Sequence, residues 1–148
     1  ADYPTILDYP APRLKAYSRE SVIAEKLEAM VSLGEGNSRM KDFADLWYLS
    51  RHFDFNGPVL AEAIAKTFQR RQTTIPAQPT AFTTDFAQSD TKQAQWKAFM
   101  RRIAPDGLPS EFGTVVDDVA AFLGPILSHL TADQPMPQRW HAPGPWQF

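Results

Sequence analysis

Glycine and proline cut this chain into short lengths, and the cuts leave little room for anything but helices. Gly34 and Gly36, the run Asn56-Gly57-Pro58, the connector TTIPAQPTAFTTDF (residues 73–86) and Pro105-Asp106-Gly107 each interrupt the apolar pattern. Between them the apolar residues recur at the three-to-four spacing of a helix rather than alternating as in a half-buried strand. Ser18 is a natural N-cap for a helix to about Leu33, and Asn37 or Ser38 starts a second through about His52. Asn56-Gly57-Pro58 opens a third, to about Arg71, with proline in its first turn. One short turn of helix is expected in the 73–86 connector. Ser89 or Asp90 caps a fourth main helix, TKQAQWKAFMRR. Ser110 caps the last, EFGTVVDDVAAFLGPILSHL, where Pro125 should introduce a kink. The fold class expected is all-α, a helical bundle of one domain. With 148 residues, 43% of them hydrophobic, the chain can bury one core and not comfortably two.

The ends differ from the middle. Residues 1–17, with three prolines and a short alternation of Tyr3, Thr5, Leu7 and Tyr9, suggest an extended arm or edge strand. The helical domain covers 18–131. Residues 132–148 carry four prolines and two tryptophans and are expected to run extended, pinned by Trp140 and Trp146. The first residue is Ala rather than Met, which processing or excision from something longer would explain. A net charge of -2 gives no general attraction to polyanions, so a nucleic-acid contact must be a local patch. The chain has no cysteine, which removes thiol chemistry and fits a cytoplasmic setting. No uninterrupted apolar run approaches the roughly 18 residues that would span a bilayer, and no membrane partner is expected.

Two charges stand where the first helical hairpin should be apolar. At roughly 100° per residue, Val22, Leu33, Met30, Ile23, Leu27 and Val31 fill one half of the first helix. Glu25, Glu28 and Ser32 lie opposite, yet Lys26 falls between Leu33 and Met30. In the second helix Leu49, Leu46, Phe43, Trp47 and Met40 form the apolar arc, with Asp42 between Leu49 and Leu46. Asp45 falls on the flank with Lys41 and His52. An isolated buried charge costs several kcal/mol, on the order of 3–5 when a partner is removed, so both charges need a partner or a wet cavity. Two explanations stay open. Lys26 and Asp42 meet as a structural pair, or they line a polar cleft in which the lysine faces a phosphate and the aspartate holds it or polarises a reacting hydroxyl. Arg39 and Lys41, at the start of the second helix, add donors suited to phosphate, although solvated helix charge would look the same.

These residues also resemble a family. Ala-Glu-Lys-Leu-Glu-Ala-Met (24–30), followed by Asn-Ser-Arg-Met-Lys-Asp-Phe-Ala-Asp-Leu (37–46), resembles the C-terminal half of AbiEii/AbiGii-type nucleotidyltransferase toxins, the toxin halves of abortive-infection toxin–antitoxin pairs. The resemblance implies Lys26 and Asp42 as catalytic residues, with Asp45 the lesser choice for that role. Arg39, Lys41 and Asp45 are the candidate substrate contacts. It implies attack on a magnesium-bound nucleoside triphosphate with loss of pyrophosphate, a cognate antitoxin as partner, and tRNA or another RNA as acceptor. It also implies that the arm ends a catalytic domain whose Gly-Ser motif and metal-binding aspartate this sequence does not contain, since no Gly-Ser dipeptide occurs in it. The chain is then either part of a larger enzyme or a remnant without transfer activity. Alone it is expected to be inactive, with no cofactor of its own. The competing reading is a non-enzymatic helical interaction module with a structural Lys-Asp pair.

Other motifs are weak. His52, His129 and His141 lack metal-ligand spacing, and no phosphate loop, nucleophile elbow or Arg-x4-His pair is present. Asp117-Asp118 is expected on a solvated face. The pairs Arg70-Arg71 and Arg101-Arg102 suit helix C-termini or, if the helices converge, an RNA-backbone patch. Trp47 and Trp96 are expected in the core.

Overall fold

The computed structural model describes residues 18–36, 39–103 and 107–148. Within these the order is α1 (Arg19–Leu33), a 3-10 turn (Gly34–Gly36), α2 (Met40–His52), β1 (Phe55–Asn56), α3 (Gly57–Arg70), a 3-10 turn (Thr80–Phe82), α4 (Thr84–Gln88), α5 (Asp90–Ile103), α6 (Phe112–Ala132), β2 (Arg139–Trp140) and β3 (Trp146–Gln147). The expected N-terminal arm, the caps Asn37 and Ser38, and Pro105-Asp106 lie outside the described residues.

Helix boundaries follow capping chemistry. Ser18 Oγ accepts the Ser21 amide at 3.0 Å, and Asn56 Oδ1 accepts that of Val59 at 3.1 Å, each satisfying a first-turn N–H. Gly34 closes α1 at φ 53°, a left-handed value that glycine takes without steric cost. Residue 39 occupies the N-cap position of α2 without a side-chain cap bond. Ser110 does not cap α6. Glu111 holds that position, and its side chain makes no capping bond.

The fold is almost wholly helical, with one addition. β1, β2 and β3 form a small antiparallel sheet in that order, pairing Phe55 with Trp140 and Trp140 with Trp146. Its strands are only two residues long, below what an alternation pattern can signal. Gly57 permits the close approach this requires: its amide donates to Gln138 O at 2.9 Å, and a Cβ there would lie 1.6 Å from the Pro137 carbonyl oxygen. Trp140 and Trp146 are buried, donating to Ser50 O at 2.7 Å and Phe122 O at 2.6 Å.

α6 is the central element. It buries Phe112, Val115, Val116, Val119, Phe122, Leu123, Ile126 and Leu127 and packs on α2, α3, α4 and α5. The helix continues through Pro125. By length and apolar content it could cross a membrane, a property hidden from a search for uninterrupted apolar runs by Asp117 and Asp118. One of those acids is not simply solvated: Asp118 Oδ2 accepts the Trp47 indole N–H at 2.8 Å and stands 3.8 Å from Arg51.

α1 touches α2 and lies more extensively along α3. This second neighbour alters the helical-wheel expectation. Leu33 is 45% exposed, whereas Glu28 is buried and accepts from Ser32 Oγ at 2.6 Å and Thr73 Oγ1 at 2.7 Å. Glu25 is bridged by Arg70 and Arg71 from the end of α3, which accounts for that basic pair structurally.

Candidate functional site

Lys26 enters from the middle of α1, and Asp42 and Asp45 from the first two turns of α2. A three-residue spacing turns both acids toward the same neighbour on a helix. Lys26 is 6% exposed, Asp42 1% and Asp45 0%. Lys26 Nζ donates to Asp42 Oδ1 at 3.1 Å and stands 2.8 Å from Asp45 Oδ2, an ion contact off the hydrogen-bonding direction. Arg39 Nε lies 3.0 Å from Asp42 Oδ2. Two cations thus face two carboxylates, and the cluster closes near neutrality. Asp45 Oδ1 is buried without a hydrogen-bond partner.

This arrangement corrects the placement of Asp45 on a solvent flank. Asp42 and Asp45 sit three residues apart and together straddle one ammonium. A wheel drawn for α2 alone does not show that α1 supplies a cation on that side.

Burial shifts the two partners differently. Desolvation pushes the Asp45 carboxyl up to about 6, and Asp42 adds to this, against the opposing pull of Lys26 and Lys41. For Lys26 desolvation acts downward, but Asp45 and Asp42 outweigh it and hold the ammonium above its ordinary value. Folded Asp45 therefore takes its proton near pH 6, while the unfolded chain takes it near 3.8. Between those values the folded state binds more protons, so stability on this account rises as pH falls from 7 toward 4, by at most on the order of 2–3 kcal/mol. Glu28 works in the opposite sense below 4.5: burial is outweighed by the Ser32 and Thr73 hydroxyls and Arg71, which keep its carboxyl below that value. Asp45→Asn should flatten the melting-temperature profile between pH 4 and 7. An unaltered slope in the variant would assign the dependence to another group.

A cleft of about 530 Å3 adjoins the cluster, between the start of α2 and one face of α5. α2 contributes Arg39, Met40, Lys41 and Asp42; α5 contributes Gln95, Ala98, Phe99, Arg102 and Ile103. Three cations and one carboxylate line it, a balance suited to a phosphorylated ligand. Lys26 and Asp45 do not line this cleft, so Asp42, with its partner Arg39, connects the buried cluster to it. Of the sequence candidates, Lys26, Asp42, Asp45 and Arg39 therefore meet directly, and Lys41 lies on the cleft. Gln95 was not singled out from the sequence, and Arg102 was read as a helix-end cation or part of an RNA-backbone patch, not as a wall of this cleft. Their spacing, with Phe99 between them at i+4 and Arg102 at i+7, marks a single helix face.

The family described as Nucleotidyl transferase AbiEii toxin, Type IV TA system, matches residues 1–120. The chain belongs to the AbiEii family. No curated protein and no solved structure matches it. The match includes α1, α2 and α5, the helices that form the cluster and cleft, and ends inside α6, before β2 and β3. AbiEii membership implies an antitoxin partner, and the family generally uses magnesium with a nucleoside triphosphate. The described residues do not fit a resident magnesium. No group of three His, Asp or Glu side chains converges among them, and Asp42 and Asp45 are buried against Lys26 and Arg39.

Proposed function

We propose that this chain is the helical C-terminal part of an AbiEii nucleotidyltransferase toxin. Residues 18–131 form its helical domain and 132–148 its tail, while 1–17 end a catalytic domain. It contributes Lys26 and Asp42 to the place where nucleoside triphosphate and acceptor meet in the cytoplasm. The observation that carries the reading is Asp42 itself: 1% exposed, tied to Lys26 behind it and to Arg39 beside it, yet bordering the cationic cleft.

In nucleotidyl transfer an acceptor hydroxyl attacks the α-phosphorus and pyrophosphate leaves, so the protein must align the reactants and neutralise phosphate charge. Arg39 and Lys41 supply positive charge to the triphosphate. Asp42 holds the Arg39 guanidinium at the cleft, Lys26 fixes the orientation of Asp42 through its ammonium contact, and Asp45 braces Lys26. Magnesium would arrive bound to the nucleotide and would offset part of its phosphate charge. An RNA end, such as the 3′ end of tRNA, supplies the acceptor hydroxyl, and a cognate antitoxin restrains the activity.

The competing reading, an interaction module with a purely structural charge cluster, is favoured by one fact: Lys26 does not line the cleft and is engaged by two carboxylates. Asp42→Asn in the native full-length polypeptide separates the two. Nucleotidyl transfer should fall about 100-fold or more while circular dichroism still shows the folded state at the assay temperature. Wild-type turnover by the folded variant would leave only the structural role.

A further inference from the structure

Resting on the nucleotidyl-transfer reading, we infer that α5 supplies the selecting side of the cleft: Arg102 binds a phosphate of the nucleotide, and Gln95 reads the edge of its base. Three observations converge. First, Arg102 lines the cleft opposite Arg39 and Lys41, so cations border it from two helices. The other basic pair, Arg70 and Arg71, is engaged by Glu25 instead. Second, Gln95 Oε1 is buried without a hydrogen-bond partner, although the side chain lines the cleft. A buried amide oxygen in that state costs free energy, and a rotation about the side chain's own torsions brings the amide to a ligand. Third, Met40, Ala98, Phe99 and Ile103 give the cleft an apolar part beside its charges.

A ligand that fits carries anionic groups, a flat apolar body, and hydrogen-bonding atoms on that body. A nucleotide has all three, and a cleft of about 530 Å3 falls in the range of small-molecule sites. The glutamine amide offers one acceptor and one donor side by side, the pattern that complements a base edge. Arg102, by contrast, meets a group common to every nucleotide.

The two residues are thus expected to act on different quantities. Equilibrium binding of the four nucleoside triphosphates and of inorganic triphosphate would be measured on the native full-length polypeptide and on Arg102→Gln, Gln95→Ala and Lys26→Met. Arg102→Gln should weaken all five ligands about tenfold. Gln95→Ala should compress the preference among the four bases about tenfold while inorganic triphosphate binds as before. If both α5 variants match the wild type, with its base preference intact, the α5 assignment falls; the hairpin reading survives where Lys26→Met, shown by circular dichroism to be folded under the assay conditions, still loses binding or turnover. If the wild type binds no nucleotide, both readings fall together.

Discussion

Lys26→Met destabilises the chain by about 3–5 kcal/mol at pH 7, because it takes the ammonium from two buried carboxylates and leaves one of them, Asp45, without a comparable cation. Asp42 and Asp45 both lie within 3.1 Å of the Lys26 ammonium and are essentially inaccessible to water. Arg39 still neutralises Asp42, but nothing comparable is left for Asp45, whose Oδ1 already lacks a hydrogen-bond partner. The loss should shrink toward pH 5 as Asp45, which takes its proton near pH 6 even beside the lysine, is neutralised more readily without it. Adding Asp45→Asn to Lys26→Met should recover at least half of the loss at pH 7. Urea unfolding of the three proteins at pH 5 and 7 checks this. A single variant as stable as the wild type at pH 7 would show that the cluster is wet enough to relax, against the burial described.

Trp140→Ala should cost about 3–5 kcal/mol, by opening a cavity and leaving a carbonyl unsatisfied together. Its indole N–H donates to Ser50 O from the end of α2, and its ring lies 4.8 Å from Phe122 and 5.4 Å from Trp146, centroid to centroid. As the shared residue of the β1–β2 and β2–β3 pairs, it joins the tail to α2 and α6 at once. Denaturant unfolding followed by far-ultraviolet circular dichroism reads the loss without relying on tryptophan emission. A loss below about 1 kcal/mol would mean that the tail contributes little to the fold.

The charge cluster separates what a helical wheel can and cannot disclose. Lys26 and Asp42 were identifiable because each interrupts an apolar arc, and their contact across the hairpin follows from the cost of leaving either charge alone. Asp45 was misplaced because its environment comes from α1 and not from its own helix. Glu28 was misplaced for the same reason: Thr73, more than forty residues away in the chain, turns an apparently solvated face of α1 into a hydrogen-bonded seam. Asp118 likewise finds its partner, Trp47, on another helix.

The cleft shows the same limit at the level of function. Arg39 and Lys41 carried a phosphate reading on their own, since both stand at the start of a helix beside an inward acid. That α5 would face them with Gln95 and Arg102 depends on how α5 crosses α2, and no local pattern encodes that crossing.

What the sequence by itself determined is therefore local: helix starts at Ser18 and Asn56, the helix end at Gly34, the apolar faces, and the Glu-Lys and Arg-x-Lys-Asp signature carried by the hairpin. Those features depend on torsional preference, on capping bonds between near neighbours and on the helical period, all written within a few residues. Only the tertiary structure decided that Lys26 bridges two aspartates, that two-residue strands tie the tail to β1, and that α5 completes the cleft. Each of these joins groups distant along the chain, and the desolvation and ion pairing that govern them exist only once the helices have packed.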